Sequence, residues 1–197
     1  MYQYKIMKYY HNKYRVESIR LKGWDYSTPW WYFVTIATKN HNEYFGKIIS
    51  GEMKLNDVGK IAERCWRDIP KHYPKVELDY FVVMPNHLHG IVVITEHAEP
   101  DHDVEPCHGV VEPCHGKALQ NEFGKPIKNS LSMIINHYKG GVKHLCKENK
   151  FTGFAWQPKF YDRIIRNEGE LYAIRKYIAD NPIKWDVEKN VPDNLEM

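Results

Sequence analysis

With 197 residues, 43% of them hydrophobic, the chain can bury the core of one domain, 1–197, but is too short for two comfortable ones. No stretch approaches the roughly 20 uncharged apolar residues of a membrane span, and residues 1–8 carry no apolar run of the signal-peptide kind. No membrane association is therefore expected, a cytoplasmic location is, and the net charge of +3 is too small to argue for nucleic acid by itself. Four cysteines (Cys65, Cys107, Cys114, Cys146) fall far short of a disulfide scaffold and are expected to be reduced.

Residues 1–28 have weak periodicity and read as an irregular arm entering a turn at Ser27-Thr28-Pro29. Basic and aromatic residues alternate there (Lys13, Tyr14, Arg15, Arg20, Lys22, Trp24), and cations return at Lys159, Arg163 and Arg166. Rings that stack on bases beside cations that follow phosphates suit single-stranded nucleic acid. Composition alone favours an aromatic-rich core with a solvated basic face.

The segment 30–38 is aromatic and β-branched and predicts a first strand. Over 56–72, Val58, Ile61, Ala62, Cys65, Trp66 and Ile69 recur at three- and four-residue steps behind a capping Asn56, which predicts an amphipathic helix closed by Pro70 and Pro74. Strands are predicted at 76–83 and 87–95, joined through Pro85-Asn86. The stretch 96–126 has no periodicity, repeats Val-Glu-Pro-Cys-His-Gly at 104–109 and 111–116, and is expected to be a flexible insertion.

A helix is predicted over 129–147, weakened or kinked at Gly140-Gly141, then a short strand at 160–165. A last helix at 168–180 is expected to stop at Pro182. The order β-α-β-β-α-β-α matches an α+β, ferredoxin-like split βαβ fold with an added C-terminal helix. Such an antiparallel sheet packs helices on one face and leaves the other for a ligand.

The most informative motif is Met84-Pro85-Asn86-His87-Leu88-His89-Gly90. In a strand, His87 and His89 share a face while Leu88 turns to the other, and two neighbouring imidazoles can hold a divalent metal. A structural histidine pair has the same spelling, although a core strand rarely buries two imidazoles without partners. The second motif is Tyr177-Ile178-Ala179-Asp180-Asn181, where i and i+4 put a phenol and an amide carbonyl on one helical face. If that face meets the histidines, Asn181 becomes a third, oxygen ligand beside a phenolic nucleophile. The simpler alternative makes Tyr177 a core aromatic and Asn181 a helix cap before Pro182.

With 20–27 (Arg-Leu-Lys-Gly-Trp-Asp-Tyr-Ser), 156–167 (Trp-Gln-Pro-Lys-Phe-Tyr-Asp-Arg-Ile-Ile-Arg-Asn) and 177–185 (Tyr-Ile-Ala-Asp-Asn-Pro-Ile-Lys-Trp) added to the histidine motif, the chain resembles the REP-associated tyrosine transposases. These belong to the single-tyrosine HUH transposases of bacterial insertion sequences. The resemblance covers nearly everything outside 96–126. It implies a ferredoxin-like fold, a divalent metal (Mg²⁺ or Mn²⁺), and cleavage and rejoining of single-stranded, hairpin-forming DNA through a 5′-phosphotyrosine. On this likeness Tyr177 is the nucleophile and His87, His89 and Asn181 are the metal ligands. Many insertion-sequence relatives carry glutamine at the last position, while REP-associated members also show asparagine.

Arg15, Arg20, Lys22, Lys159, Arg163 and Arg166 are the candidate DNA contacts, with a solvated face as the alternative reading of each. The resemblance allows a monomer or a homodimer. Two other functions share part of the pattern: a catalytically silent, domesticated hairpin-DNA-binding protein, and a relaxase or replication initiator. The latter often sets its tyrosine in Tyr-x-x-Lys, whereas Asp180 stands at that place here. Cys107-His108 and Cys114-His115 match no usual zinc spacing and read as repeat expansion. Trp156, Trp185 and Phe160 are read as core or hinge packing.

Overall fold

The computed structural model describes residues 21, 23–96 and 127–190, side chains through 187, and the backbone of two short strands, β1 (Tyr9–Tyr10) and β2 (Lys13–Tyr14). β1 and β2 pair antiparallel inside the segment expected to be irregular. The repeat-bearing stretch 97–126, with Cys107, His108, Cys114 and His115, and the side chains of Arg15, Arg20 and Lys22 lie outside the described residues.

The main sheet grows around β3 (Trp30–Ala37), whose aromatic and β-branched residues suit a strand covered on both faces. β7 (His87–Ile94) pairs with one edge of β3 and β8 (Tyr161–Ile164) with the other, and β6 (Val76–Val83) lies outside β7. Every neighbouring pair is antiparallel. The sheet order β6-β7-β3-β8, with one helix crossing after β3 and another after β7, is the split βαβ arrangement that the order of elements predicts.

On one face Tyr32, Val34, Ile36, Leu88 and Val92 meet two helices. α1 (Asp57–Arg67) starts where the Asn56 side chain accepts the Gly59 N–H, as its capping position implies. A one-turn helix, α2 (Ile69–His72), follows after Asp68, so the predicted 56–72 helix is broken in two and Pro70 sits inside the second piece. α3 (Leu131–Glu148) is capped by Ser130 and buries Ile134, Ile135, Tyr138 and Val142. It runs unbroken through Gly140-Gly141, contrary to the expected weakening, because its buried residues lie on both sides of the pair. Gly90 lets α1 close on the sheet: a Cβ there would stand 2.4 Å from Trp66 Cζ2.

The other face is not left open. α4 (Glu168–Asn190) crosses it, setting Leu171, Ile174 and Ile178 against Phe33, Ile91 and Ile165. It passes straight through Pro182, so Asn181 is an interior helical residue and not a terminal cap. A proline removes the N–H that would bond the Ile178 carbonyl, but contacts beyond it hold the helix together. They come from a hairpin that periodicity did not predict, β4 (Gly46–Ile49) and β5 (Glu52–Leu55). Its two-residue turn, Ser50 (φ 52°) and Gly51 (φ 75°), has both residues in the left-handed region that tight hairpins require. The Gly51 N–H donates to Asp186 Oδ2 at 3.0 Å, fastening the half of α4 that follows the proline.

Candidate active site

His87 and His89 occupy the first and third positions of β7, so both point to the α4 face while Leu88, fully buried, points to α1 and α3. The antiparallel register sets Ala37 opposite His87 and Thr35 opposite His89. Each imidazole is held by a side-chain oxygen at Nδ1: His87 by Asn86 Oδ1 at 2.6 Å, His89 by Thr35 Oγ1 at 2.8 Å. Both turn Nε2 inward, and the two Nε2 atoms stand 2.9 Å apart. Phe33 stacks on the His89 ring with centroids 5.5 Å apart, and Trp185 lies 5.7 Å from the His87 ring.

Burial keeps these rings neutral. It pushes His87 down to about 4, with His41 adding a smaller effect, and His89 down to about 3, with His87 adding. Both are therefore neutral at neutral pH, as a metal-ligating imidazole must be.

α4 brings the tyrosine. The Tyr177 hydroxyl lies 3.2 Å from His89 Nε2, and its ring packs edge-on against both His89 and Phe33. The side chain is still 41% exposed, open to a large substrate. Lys184, two turns on, holds its Nζ 5.8 Å from the centre of the Tyr177 ring. Positions 177, 181 and 185 form one stripe at four-residue spacing, with the first touching His89 and the last His87. Asn181 sits between them on that stripe, 8% exposed, and its amide makes no hydrogen bond among the described residues. Sequence reasoning thus named His87, His89, Tyr177 and Asn181, which the fold gathers onto two facing elements. It missed Thr35, Asn86, Lys184 and the contact of Trp185 with His87. Only Asn86 had a local signal, its place beside the histidine.

Of the candidate DNA cations, Arg163, Arg166 and Lys159 are among the described residues. Arg163 lies opposite Phe33 on edge strand β8 and forms an ion pair with Glu170 near the start of α4. The same carboxylate accepts the Arg166 backbone N–H at 2.8 Å. Lys159 is exposed in a turn with φ of 64°. Its carbonyl accepts from Lys139 Nζ at 2.9 Å.

Two histidines and an amide are an unusual donor set, and among the described residues no group of three or more His, Cys, Asp or Glu side chains is placed to hold a metal. The pair nevertheless has the right spacing. Two donors bound at about 2.1 Å in adjacent octahedral positions stand about 3 Å apart, close to the 2.9 Å between the two Nε2 atoms. The Cys65 and Cys146 thiols are free, each pushed up to about 11 by burial, and so are poor nucleophiles. No helix among the described residues is long and apolar enough to cross a membrane.

No protein-family model matches the chain. An uncharacterised protein of Haemophilus influenzae is 37% identical over 169 residues, covering 86% of this chain and 89% of that protein. The chain belongs to the same family. Among solved structures, a REP-associated tyrosine transposase bound to a REP hairpin aligns at a TM-score of 0.52 and 18% identity, covering 86% of this chain and 74% of that one. The chain has the REP-associated tyrosine transposase fold, as its four sequence motifs imply.

Proposed function

We propose that this protein is a metal-dependent DNA strand transferase that cleaves and rejoins single-stranded hairpin DNA through a 5′-phosphotyrosine on Tyr177. The observation that carries the reading is the 3.2 Å approach of the Tyr177 hydroxyl to His89 Nε2, which puts a partly exposed phenol beside two convergent, neutral imidazoles. The fold shared with a transposase that binds a REP hairpin supports the substrate class.

Tyr177 attacks the scissile phosphorus, the bond to the 3′ oxygen breaks, and that oxygen leaves as a hydroxyl after taking up a proton. A 3′-hydroxyl from another strand then attacks the phosphotyrosine and releases the phenol. The number of phosphodiesters is conserved, so rejoining needs no nucleotide cofactor. His87, His89 and Asn181 are the groups that would hold Mg²⁺ or Mn²⁺. Bound there, the ion would polarise the phosphate and offset the charge that develops on its oxygens. Phe33 and Trp185 flank the imidazoles and limit their rotation. Lys184 adds a cation 5.8 Å from the centre of the Tyr177 ring.

Arg163, Arg166 and Lys159, with Arg15, Arg20 and Lys22 of the N-terminal segment, would bind the DNA backbone and the hairpin. The test is to incubate the protein with end-labelled single-stranded hairpin DNA and Mn²⁺ and look for a denaturant-resistant adduct. The expected adduct forms with the native chain and not with Tyr177→Phe. Hairpin binding without an adduct under any divalent metal would instead identify a binding protein that has lost the reaction.

A further inference from the structure

The hydrogen bonds around the two histidines define which nitrogen of each carries a proton. Asn86 Nδ2 donates to the His41 carbonyl at 3.1 Å, which fixes the amide and leaves Oδ1 facing His87 Nδ1 at 2.6 Å. A carbonyl oxygen can only accept, so His87 carries its proton on Nδ1 and keeps a lone pair on Nε2. His89 Nε2 is 2.9 Å from that lone pair, and two lone pairs would repel at this distance. Without a metal between the rings, the bridging proton is therefore assigned to His89 Nε2, with the Tyr177 oxygen close enough to share it. The Nδ1 of His89 is then an acceptor, and the Thr35 hydroxyl donates to it across 2.8 Å.

A ligand that needs both Nε2 lone pairs cannot bind His89 in this form. We propose that Thr35 is a positioning residue that lets His89 exchange tautomers in place: its hydroxyl can donate to Nδ1 without a metal and would accept from Nδ1–H with a divalent metal bound. On loading, the Nε2 proton would leave to solvent, a proton taken from solvent would reach Nδ1, the ring would stay neutral, and the hydroxyl would turn without losing its partner. A hydroxyl can serve both states because it is both donor and acceptor; the Asn86 carbonyl opposite can serve only one. The two imidazoles are therefore unequal, His87 preset for the metal and His89 converted to it. Groups that orient a ligating histidine through its other nitrogen typically change metal affinity by about 10–100-fold. This inference rests on the metal reading above, and two independent measurements separate the two.

The first measurement is ¹⁵N NMR of the histidine side chains in the metal-free native protein. It should find the Nδ1–H tautomer at His87 and the Nε2–H tautomer at His89; Nδ1–H at His89 would overturn the exchange. The second is Mn²⁺ titration followed by electron paramagnetic resonance. Thr35→Val, which keeps the β-branched shape, should weaken Mn²⁺ binding by about 10–100-fold, and Thr35→Ser should restore most of it. Native-like affinity in Thr35→Val overturns the role of Thr35 while leaving the metal site standing. A native protein that binds no Mn²⁺ overturns the metal reading and this proposal with it. Should Thr35→Val fail to fold, the native tautomers and the Thr35→Ser titration still decide the matter.

Discussion

Tyr177 and His89 are 88 positions apart in sequence, yet hydroxyl and Nε2 meet at 3.2 Å on facing elements of one chain. All four proposed reacting and metal-binding groups lie on β7 and α4. Removing the hydroxyl should separate chemistry from binding. Tyr177→Phe should abolish the covalent adduct, by about 10³-fold or more, while hairpin affinity in a gel-shift assay stays within about twofold, since the ring packing against Phe33 is retained. An adduct that survives would redirect attention to Tyr161 or Tyr172, both exposed.

The buried histidines also predict how stability depends on pH. Their folded-state values, about 4 and about 3, lie below the ordinary 6.5, so the unfolded chain binds more protons than the native one between these limits. Stability is then greatest above pH 6.5 and falls as pH drops toward 4, by at most about 3 kcal/mol per histidine. Urea titrations of the metal-free protein from pH 7.5 to 4.5 should show this slope. A double His87→Ala, His89→Ala variant should flatten it, and an unchanged slope in that variant would assign the loss to other groups.

Gly90 is predicted to resist substitution. An added methyl group would press 2.4 Å from Trp66 Cζ2, and Trp66 is itself fully enclosed between α1 and the sheet. Gly90→Ala should cost about 1–3 kcal/mol by overpacking, read as a lower urea midpoint. Because Gly90 adjoins His89, some loss of Mn²⁺ affinity should accompany it. Wild-type stability in this variant would mean that α1 can retreat from the sheet.

Asn181 should behave as a ligand-facing group and not as a structural cap. Its amide has no hydrogen bond among the described residues and sits between two residues that touch the histidines. Asn181→Ala should therefore leave thermal stability within about 0.5 kcal/mol while lowering Mn²⁺ affinity. A helix cap would give the reverse pattern, a loss of about 1 kcal/mol with metal binding intact.

The readable parts of this chain were those with a local cause. Strand β7, the Asn56 cap of α1 and the histidine spacing each follow from residues within a few positions of one another. Hairpin β4–β5 was missed because its strands are four residues long and its Ser50-Gly51 turn is not one of the strongest hairpin dipeptides. The continuation of α4 past Pro182 was missed for a different reason. Its support, the Gly51 N–H to Asp186 bond, spans 135 positions and has no trace in local periodicity. Thr35 was likewise invisible, since only the β3–β7 register puts it beside His89.

That distant bond has a mechanical meaning for the proposed reaction. Near its start α4 is tied down where Glu170 accepts the Arg166 N–H, and beyond the proline it is tied where Asp186 accepts the hairpin N–H. Tyr177 lies between these two attachments on α4. On the proposed reaction, an attacking strand would have to come to the phosphotyrosine, and the choice of which DNA end is joined would fall to the surfaces that deliver the strand.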